Sequence, residues 1–271
     1  MTYADLPVIN HTTLLAILET TAISAGQEIL RIYAEGCDFE LKDDKSPVTE
    51  ADHAAEAIIQ AALIKATPDI PMVAEEEISG GHVPGDLGAR FYLVDPLDGT
   101  REFVSRNGDF TVNIALIEKG APVLGVVYAP VRGVLFTGGD TGAQEVTVGE
   151  GGSITARRAI SCRQVPDTLI AVASRSHRTP ETDAYLEKFS VTDCVSVGSS
   201  LKFGLLARGE ADIYPRFGRT MEWDTAAGDA VLRAAGGITL TLDGNALTYG
   251  RRNQADDADF ANPNFVAWGK L

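Results

Sequence analysis

The sequence predicts an α/β protein, an α+β N-terminal half followed by an α/β C-terminal half. Three observations carry this reading. Apolar residues recur at helical spacing over residues 13–33 and 50–66. Short β-rich segments parted by Gly or Pro follow Pro71. Strand-like and helix-like segments then alternate from residue 169 to residue 242.

Taken in order, Leu14, Leu15, Leu18, Ala22, Ala25, Ile29 and Ile32 fall on one face of the first helix. The second helix follows Thr49, a good N-cap, with Asp52 where a capping-box acid sits. Its apolar face is Ala55, Ile58, Ile59, Ala62 and Leu63. Phe91–Val94, Thr111–Glu118, Val123–Tyr128 and Gly133–Thr137 read as strands of an antiparallel meander. Residues 138–153 are Gly-rich and read as a surface loop, with a domain junction expected between residues 150 and 165. Beyond it, Leu169–Ser174, Cys194–Val197, Ala211–Tyr214 and Ile238–Leu242 read as strands, and Pro180–Phe189, Ser199–Arg208 and Asp224–Ala235 as helices. Gly236-Gly237 stops the last of these.

The bulk numbers narrow the function. In 271 residues, 45% hydrophobic content supplies a substantial core, and 23% charged residues is ordinary for a globular chain. A net charge of -15 argues against a nucleic-acid polymer as partner, because phosphate backbones are held by basic surfaces. It leaves room for a small phosphorylated substrate, since bound cations invert the field of an acidic site. Cys37, Cys162 and Cys194 are far apart and odd in number, which speaks against a disulfide framework and fits a reducing cytoplasm. No signal peptide is read at the N-terminus, and no apolar run reaches the length of a membrane span.

The chemistry is concentrated in acids. The run Phe91-Tyr92-Leu93-Val94 ends in Asp95-Pro96-Leu97-Asp98-Gly99-Thr100. Glu75, Glu76 and Glu77 lie upstream, and Asp224 opens a helix-like stretch in Trp223-Asp224-Thr225-Ala226-Ala227-Gly228. Each has a plain structural reading: turn formers at Asp95 and Asp98, a solvated acidic turn at Glu75–Glu77, a helix N-cap at Asp224, a capping-box acid at Asp52. Together, with no His or Cys cluster beside them, they are the oxygen ligands a hard divalent cation needs, and Mg²⁺ is the commonest such ion. Pro96 fixes one backbone angle, which makes the Leu97 carbonyl a candidate extra oxygen, and Gly99 permits close backbone approach, so that its amide and that of Thr100 would face an anion if a helix begins there.

These two motifs resemble the signatures of the Mg²⁺-dependent, lithium-sensitive phosphatase superfamily that includes inositol monophosphatase and fructose-1,6-bisphosphatase. The likeness runs from Ser46-Pro47-Val48-Thr49-Glu50-Ala51-Asp52 to Asn262-Pro263-Asn264-Phe265-Val266. The resemblance implies a layered αβαβα sandwich, with a metal-binding half over residues 1–155, a substrate-binding half over residues 156–271 and the active site between them. It implies two or three Mg²⁺ ions per site. Glu75, Asp95 and the Leu97 carbonyl would bind the first and Asp95, Asp98 and Asp224 the second, with Glu76 behind them and Glu77 without an assigned role. Asp52 and Thr100 are similar to the pair that activates the nucleophilic water, with Glu75 beside them.

Within the superfamily the chain looks closest to the bacterial CysQ branch, the 3'(2'),5'-bisphosphate nucleotidases. The supporting stretches are Asn107–Leu116, Gly125–Pro130, Gly198–Phe203 and Tyr214–Gly218. A nucleoside bisphosphate carries a second phosphate and a flat base, and extra donors must meet them. Ser199, Lys202 and Arg216 are suited to this, with His177 near the nucleoside. The substrate-binding set is thus Glu75, Leu97, Asp98, Gly99, Thr100, His177, Ser199, Lys202, Arg216 and Asp224. Solvated surface charges are the plain alternative for Lys202 and Arg216, and a loop residue for His177. Arg219 stands where the branch carries proline. The implied activity is release of the 3'-phosphate of adenosine 3',5'-bisphosphate, with its phosphosulfate form as a further substrate, in sulfate assimilation. The alternatives are an inositol or sugar-phosphate phosphatase and a catalytically silent nucleotide- or metal-binding regulator. The cytoplasm is the expected compartment, and related bacterial proteins suggest peripheral attachment to the inner membrane as a variant of it.

Overall fold

The structure is a computed structural model that describes residues 10–42, 47–174 and 179–271. Its elements in chain order are α1 (His11–Glu35), β1 (Phe39–Leu41), β2 (Pro47–Thr49), α2 (Glu50–Ala66), β3 (Met72–Ala74), α3 (Glu75–Ser79), β4 (Arg90–Asp98), α4 (Thr100–Val104), β5 (Thr111–Glu118), β6 (Ala121–Ala129), β7 (Val134–Gly139), β8 (Gly142–Val148) and β9 (Ile154–Ile160). Then follow β10 (Leu169–Ser174), α5 (Pro180–Leu186), β11 (Val191–Val197), α6 (Leu201–Ala207), β12 (Ile213–Arg216), α7 (Glu222–Ala234), β13 (Ile238–Thr241) and β14 (Phe265–Trp268).

Strands β3 to β9 form a seven-stranded sheet in sequence order. All its pairings are antiparallel except β3 with β4, which run parallel. The second sheet has five strands in the order β11-β10-β12-β14-β13, parallel over β11-β10-β12 and antiparallel at β14. Helices α1 and α2 cover one face of the first sheet. Helices α6 and α7 lie between the two sheets, and α5 covers the outer side of the second. The order of layers is therefore α-β-α-β-α.

The helices form where the apolar stripes place them. The α1 stripe buries Leu14, Leu18, Ala22, Ala25, Ile29 and Ile32 against Leu124, Val126 and Leu135 of the first sheet. Helix α2 spans the residues read from its pattern and opens with the anticipated capping box: Asp52 Oδ2 accepts from Thr49 N at 2.8 Å, and Thr49 Oγ1 accepts from Ala51 N at 3.1 Å. Helix α7 sits unusually close to the sheet beneath it. A Cβ on Gly125 of β6 would stand 2.4 Å from Ala227 O, and one on Gly138 of β7 would stand 2.6 Å from Val231 Cα. Only glycine permits that approach.

One expectation is overturned here. Residues 138–153 are not a loop. After a tight turn at Asp140-Thr141, with Gly142 at φ 97°, they form β8 and a short 3₁₀ turn over Glu150–Gly152. Ala143, Val146 and Val148 of β8 are buried, and the glycine-rich composition hid this apolar face. Strand β4 also runs on through Asp95 to Asp98 rather than stopping at Val94, and α5 ends at Leu186 rather than Phe189.

Candidate active site

Asp95 and Asp98 are three positions apart, so a regular strand would send their side chains to opposite faces. The β4–β5 register shifts between them: Asp95 pairs with Asn113 and Asp98 with Thr111, so two residues of β4 face one of β5. This bulge absorbs the extra residue and brings both carboxyls to one side. Pro96 sits inside it, where its missing N–H breaks no ladder bond. Asp95 Oδ1 accepts from Leu97 N at 3.0 Å and fixes the turn. Glu75 follows the end of β3, which runs parallel to β4 with Ala74 opposite Val94, so Glu75 and Asp95 emerge side by side. Asp224 lies in the first turn of α7, where its Oδ2 accepts from Met221 N at 2.8 Å.

These acids line one cavity of about 780 Å³, together with Leu97, Gly99, Thr100, Ser199, Lys202, Tyr214 and Arg216. Asp52 stands behind that wall, 1% exposed. Its Oδ1 accepts from Thr100 Oγ1 at 3.1 Å and its Oδ2 from Thr49 Oγ1 at 2.7 Å. Thr100 begins α4 after Gly99, whose φ of 94° is the left-handed turn that starts it. Thr100 Oγ1 also lies 3.3 Å from the Leu97 carbonyl.

The electrostatics are those of crowded anions. Burial pushes the carboxyl of Asp95 well above its ordinary range, and the charges of Glu75, Asp98 and Asp224 push it further. Asp224 is raised in the same way, by burial and then by Asp98 and Glu75. Burial raises Glu75 against the pull of Lys42. It raises Glu76 to about 7, with the charge of Glu75 adding to it, and it raises Asp52 against the hydrogen bonds from Thr49 and Thr100. Lys42, which the sequence reading did not single out, donates to Glu75 Oε1 at 2.8 Å and to Glu76 Oε1 at 2.6 Å. Burial works against its charge, yet the two glutamates outweigh this and hold its pKa above the ordinary range. One ammonium does not neutralise four acids. The donor set is all oxygen, buried and mutually repelling, which fits a hard divalent cation. Among the described residues no three of these side chains converge into a ready-made chelate, since each is partly turned to a protein donor.

Two bases, Lys202 and Arg216, form a basic wall of the same cavity. Lys202, 5% exposed in the first turn of α6, donates to the carbonyls of Ser199 and Val197 and lies 5.4 Å from the Tyr214 ring centre. Burial lowers its pKa to about 8. Arg216, 8% exposed at the end of β12, donates from Nη2 to Arg219 O at 3.1 Å, and its buried Nε has no partner among the described residues. Neither forms an ion pair with a described residue. Solvated surface charge therefore does not describe them. Arg219 itself pairs with Asp257 at 3.1 Å and lines the cavity rim. Ser199 is in the cavity, but its hydroxyl is already engaged, donating to Asp98 Oδ2 at 2.7 Å. Glu76 is buried, its N–H bound to Glu56 Oε2 at 2.9 Å, while Glu77 takes a hydrogen bond from Gln60 at 2.6 Å on the far side of α3. His177 lies outside the described residues. Beyond Lys42, the reading also passed over Tyr214, Thr111 and Asn113. For the last two the available signal was a polar residue in an otherwise apolar strand.

The profile of the inositol monophosphatase family matches residues 10–263, and the chain belongs to that family of phosphatases. Within it, the CysQ-type likeness read from the motifs holds across the chain. The 3'(2'),5'-bisphosphate nucleotidase CysQ of Escherichia coli O157:H7 is 45% identical over 246 residues, 90% of this chain and 95% of that protein. CysQ of Buchnera aphidicola is 41% identical over 91% of this chain and 90% of its own length. The crystal structure of CysQ from Bacteroides thetaiotaomicron, a bacterial member of the inositol monophosphatase family, superposes with a TM-score of 0.79 at 38% identity, covering 96% of this chain and 98% of that one. The five-layer α/β sandwich is that of the family. No helix of the described residues is long and apolar enough to cross a membrane.

Proposed function

We propose that the protein is a Mg²⁺-dependent phosphomonoesterase that removes the 3'-phosphate of adenosine 3',5'-bisphosphate, leaving AMP, and that it accepts the phosphosulfate form as well. This places it in sulfate assimilation, in the cytoplasm. One observation carries the reading: the acids Glu75, Asp95, Asp98 and Asp224 share their cavity with two buried cations, Lys202 and Arg216, that form no ion pair among the described residues. An inositol monophosphate needs only the acidic wall. A substrate with a second phosphate also uses the basic one.

In this reading Glu75, Asp95, Asp98, Asp224 and the Leu97 carbonyl hold two or three Mg²⁺ ions. When bound, these ions supply charge neutralisation at the phosphoryl oxygens and leaving group and lower the pKa of a coordinated water. The backbone amides of Gly99 and Thr100 face the scissile phosphate at the start of α4. Thr100 Oγ1 and Asp52 Oδ1 already form a donor–acceptor pair. As Thr100 Oγ1 takes the proton of the attacking water, Asp52 Oδ1 accepts the threonine's. Lys202 and Arg216 bind the 5'-phosphate and orient the nucleoside. Residues 1–155 then supply most cation ligands and residues 156–271 the contacts to the second phosphate and nucleoside, with Asp224 as the ligand that crosses over. A panel of adenosine 3',5'-bisphosphate, its phosphosulfate, inositol 1-phosphate and fructose 1,6-bisphosphate tests this. Phosphate release should be fastest from the first, vanish in EDTA and return with Mg²⁺. Preference for inositol 1-phosphate would make the protein an inositol phosphatase, and full activity after exhaustive chelation would sink the cation chemistry.

A further inference from the structure

We propose that Thr111 and Asn113 of β5 are positioning residues for the cation site, orienting Asp98 and tying it to the start of α7, which carries Asp224. The inference rests on the reading of Asp98 and Asp224 as cation ligands given above.

Both side chains are fully buried in the middle of the fold, and their strand neighbours Val112 and Ile114 are apolar core residues. Polar side chains in such a place need partners. Thr111 Oγ1 lies 2.9 Å from Asn113 Oδ1 and 2.5 Å from Ser199 Oγ, and its single proton goes to one of them at a time, to Ser199 Oγ when the serine proton is on Asp98. Ser199 Oγ donates to Asp98 Oδ2 at 2.7 Å. Asn113 Nδ2 donates to Ser200 Oγ at 3.0 Å and reaches Asp98 Oδ2 at 3.4 Å. Ser200 Oγ in turn donates to the carbonyl of Asp224 at 2.7 Å. The chain of bonds thus runs from the carboxylate of Asp98, through β5 and the turn before α6, to the backbone of Asp224.

Two features give this network a purpose beyond filling the core. It engages Oδ2 of Asp98 alone, so the carboxylate is held by one oxygen and offers the other. It also holds Ser199 at φ 55°, in the left-handed region that residues with a Cβ rarely adopt. Such a conformation persists where its surroundings over-determine it, and these sites cluster at functional centres. The bulge that aims Asp98 is set by the pairing of Asp98 with Thr111 and of Asp95 with Asn113, so the same two residues act through both backbone and side chain. Partners of this kind, one bond removed from a cation, fix ligand orientation.

The test is Mg²⁺ titration of the full chain by calorimetry without substrate, alongside thermal melts and separate kcat and KM. Thr111→Val keeps shape and strand preference while removing the hydroxyl. Thr111→Ser keeps the hydroxyl. Asn113→Ala removes the amide. Asn113→Ala should raise the Mg²⁺ dissociation constant by about 10-fold or more. Thr111→Val should raise it several-fold with an unchanged melting temperature, lowering kcat more than it changes KM, and Thr111→Ser should restore the wild-type value. Wild-type Mg²⁺ affinity in both Thr111→Val and Asn113→Ala, or equal impairment of Thr111→Val and Thr111→Ser, would overturn the assignment. Absence of Mg²⁺ binding in the unmutated chain overturns the cation reading itself, and it is told apart because it appears before any substitution.

Discussion

The acidic wall of the cavity comes from a strand end, a bulge and a helix start, whereas the basic wall comes from long side chains reaching in from α6 and the end of β12. Glu75 follows the end of β3, Asp95 and Asp98 flank the bulge in β4, and Asp224 lies in the first turn of α7. Their backbones place them, so short motifs spell them out. Lys202 and Arg216 depend on side-chain reach and on what surrounds them, and no short motif encodes that. The walls also differ in what they lack. The acids repel one another and want a cation, and the two bases, which form no ion pair among the described residues, want an anion. Together they suit the metal-bound bisphosphate proposed above.

The widest break between the walls should come from the acids. Asp95→Asn, Asp98→Asn and Asp224→Asn should each lower kcat/KM at least about 100-fold on every substrate, because a lost cation ligand removes charge stabilisation in the transition state. Thermal melts in Mg²⁺-free buffer should show no loss of fold, since neutralising one of several buried acids relieves their repulsion. Near-normal turnover in Asp224→Asn would leave Asp224 as a capping residue only.

The basic wall should respond selectively. A charge-assisted contact to phosphate contributes about 1.5–3 kcal/mol, roughly 10- to 150-fold in kcat/KM. Arg216→Ala and Lys202→Ala should lose that factor on adenosine 3',5'-bisphosphate and spare the weaker hydrolysis of inositol 1-phosphate. Equal losses on both substrates would erase the distinction between the walls.

A third change acts on the scaffold that joins them. Gly125→Ala puts a methyl group 2.4 Å from Ala227 O. Overpacking of this sort costs about 1–3 kcal/mol, and in a chain of this size each kcal/mol lowers the melting temperature by about 2–4 °C. Because α7 shifts with it, the Mg²⁺ dissociation constant should rise in the same variant, while Arg216-dependent selectivity stays.

The smallest effect is a pH dependence peculiar to the basic wall. Burial lowers the pKa of Lys202 to about 8, so the free enzyme loses that charge as pH climbs through 8. KM for the bisphosphate should then rise, by at most about tenfold per pH unit because a single proton is involved. Below that pH it should be flat with respect to this group. Lys202→Arg, which does not titrate there, should remove the rise.

Where sequence and structure agree, the signal was local. Helix α2 was legible to the residue because Thr49 and Asp52 form its capping box and its stripe is clean. Asp95, Asp98 and Asp224 were legible because turn, bulge and helix start are written in adjacent residues. What was hidden depends on distant partners. Strand β8 was masked by its glycines, although Ala143, Val146 and Val148 are buried. Lys42 finds Glu75 and Glu76 only through the β1–β2 hairpin, where Phe39 and Leu41 are exposed and give no buried face to read. The mutual engagement of Ser199, Thr111 and Asn113 joins segments far apart in the chain, so a serine taken as a substrate donor is first a partner of Asp98.

Helix α7 is pressed on β5, β6 and β7 of one sheet while it packs beside α6, which touches β10 and β12 of the other. One continuous apolar mass results, running from Phe91, Ala115 and Phe136 through Phe203, Ala227 and Val231 to Val172, Tyr214 and Phe265. Swinging the two sheets apart would return these side chains to water at about 1.5–3 kcal/mol for each large one, and it would tear Asp224 from the other acids. The shared core therefore holds the two sheets together and keeps Asp224 beside the acids that follow β3 and lie in β4.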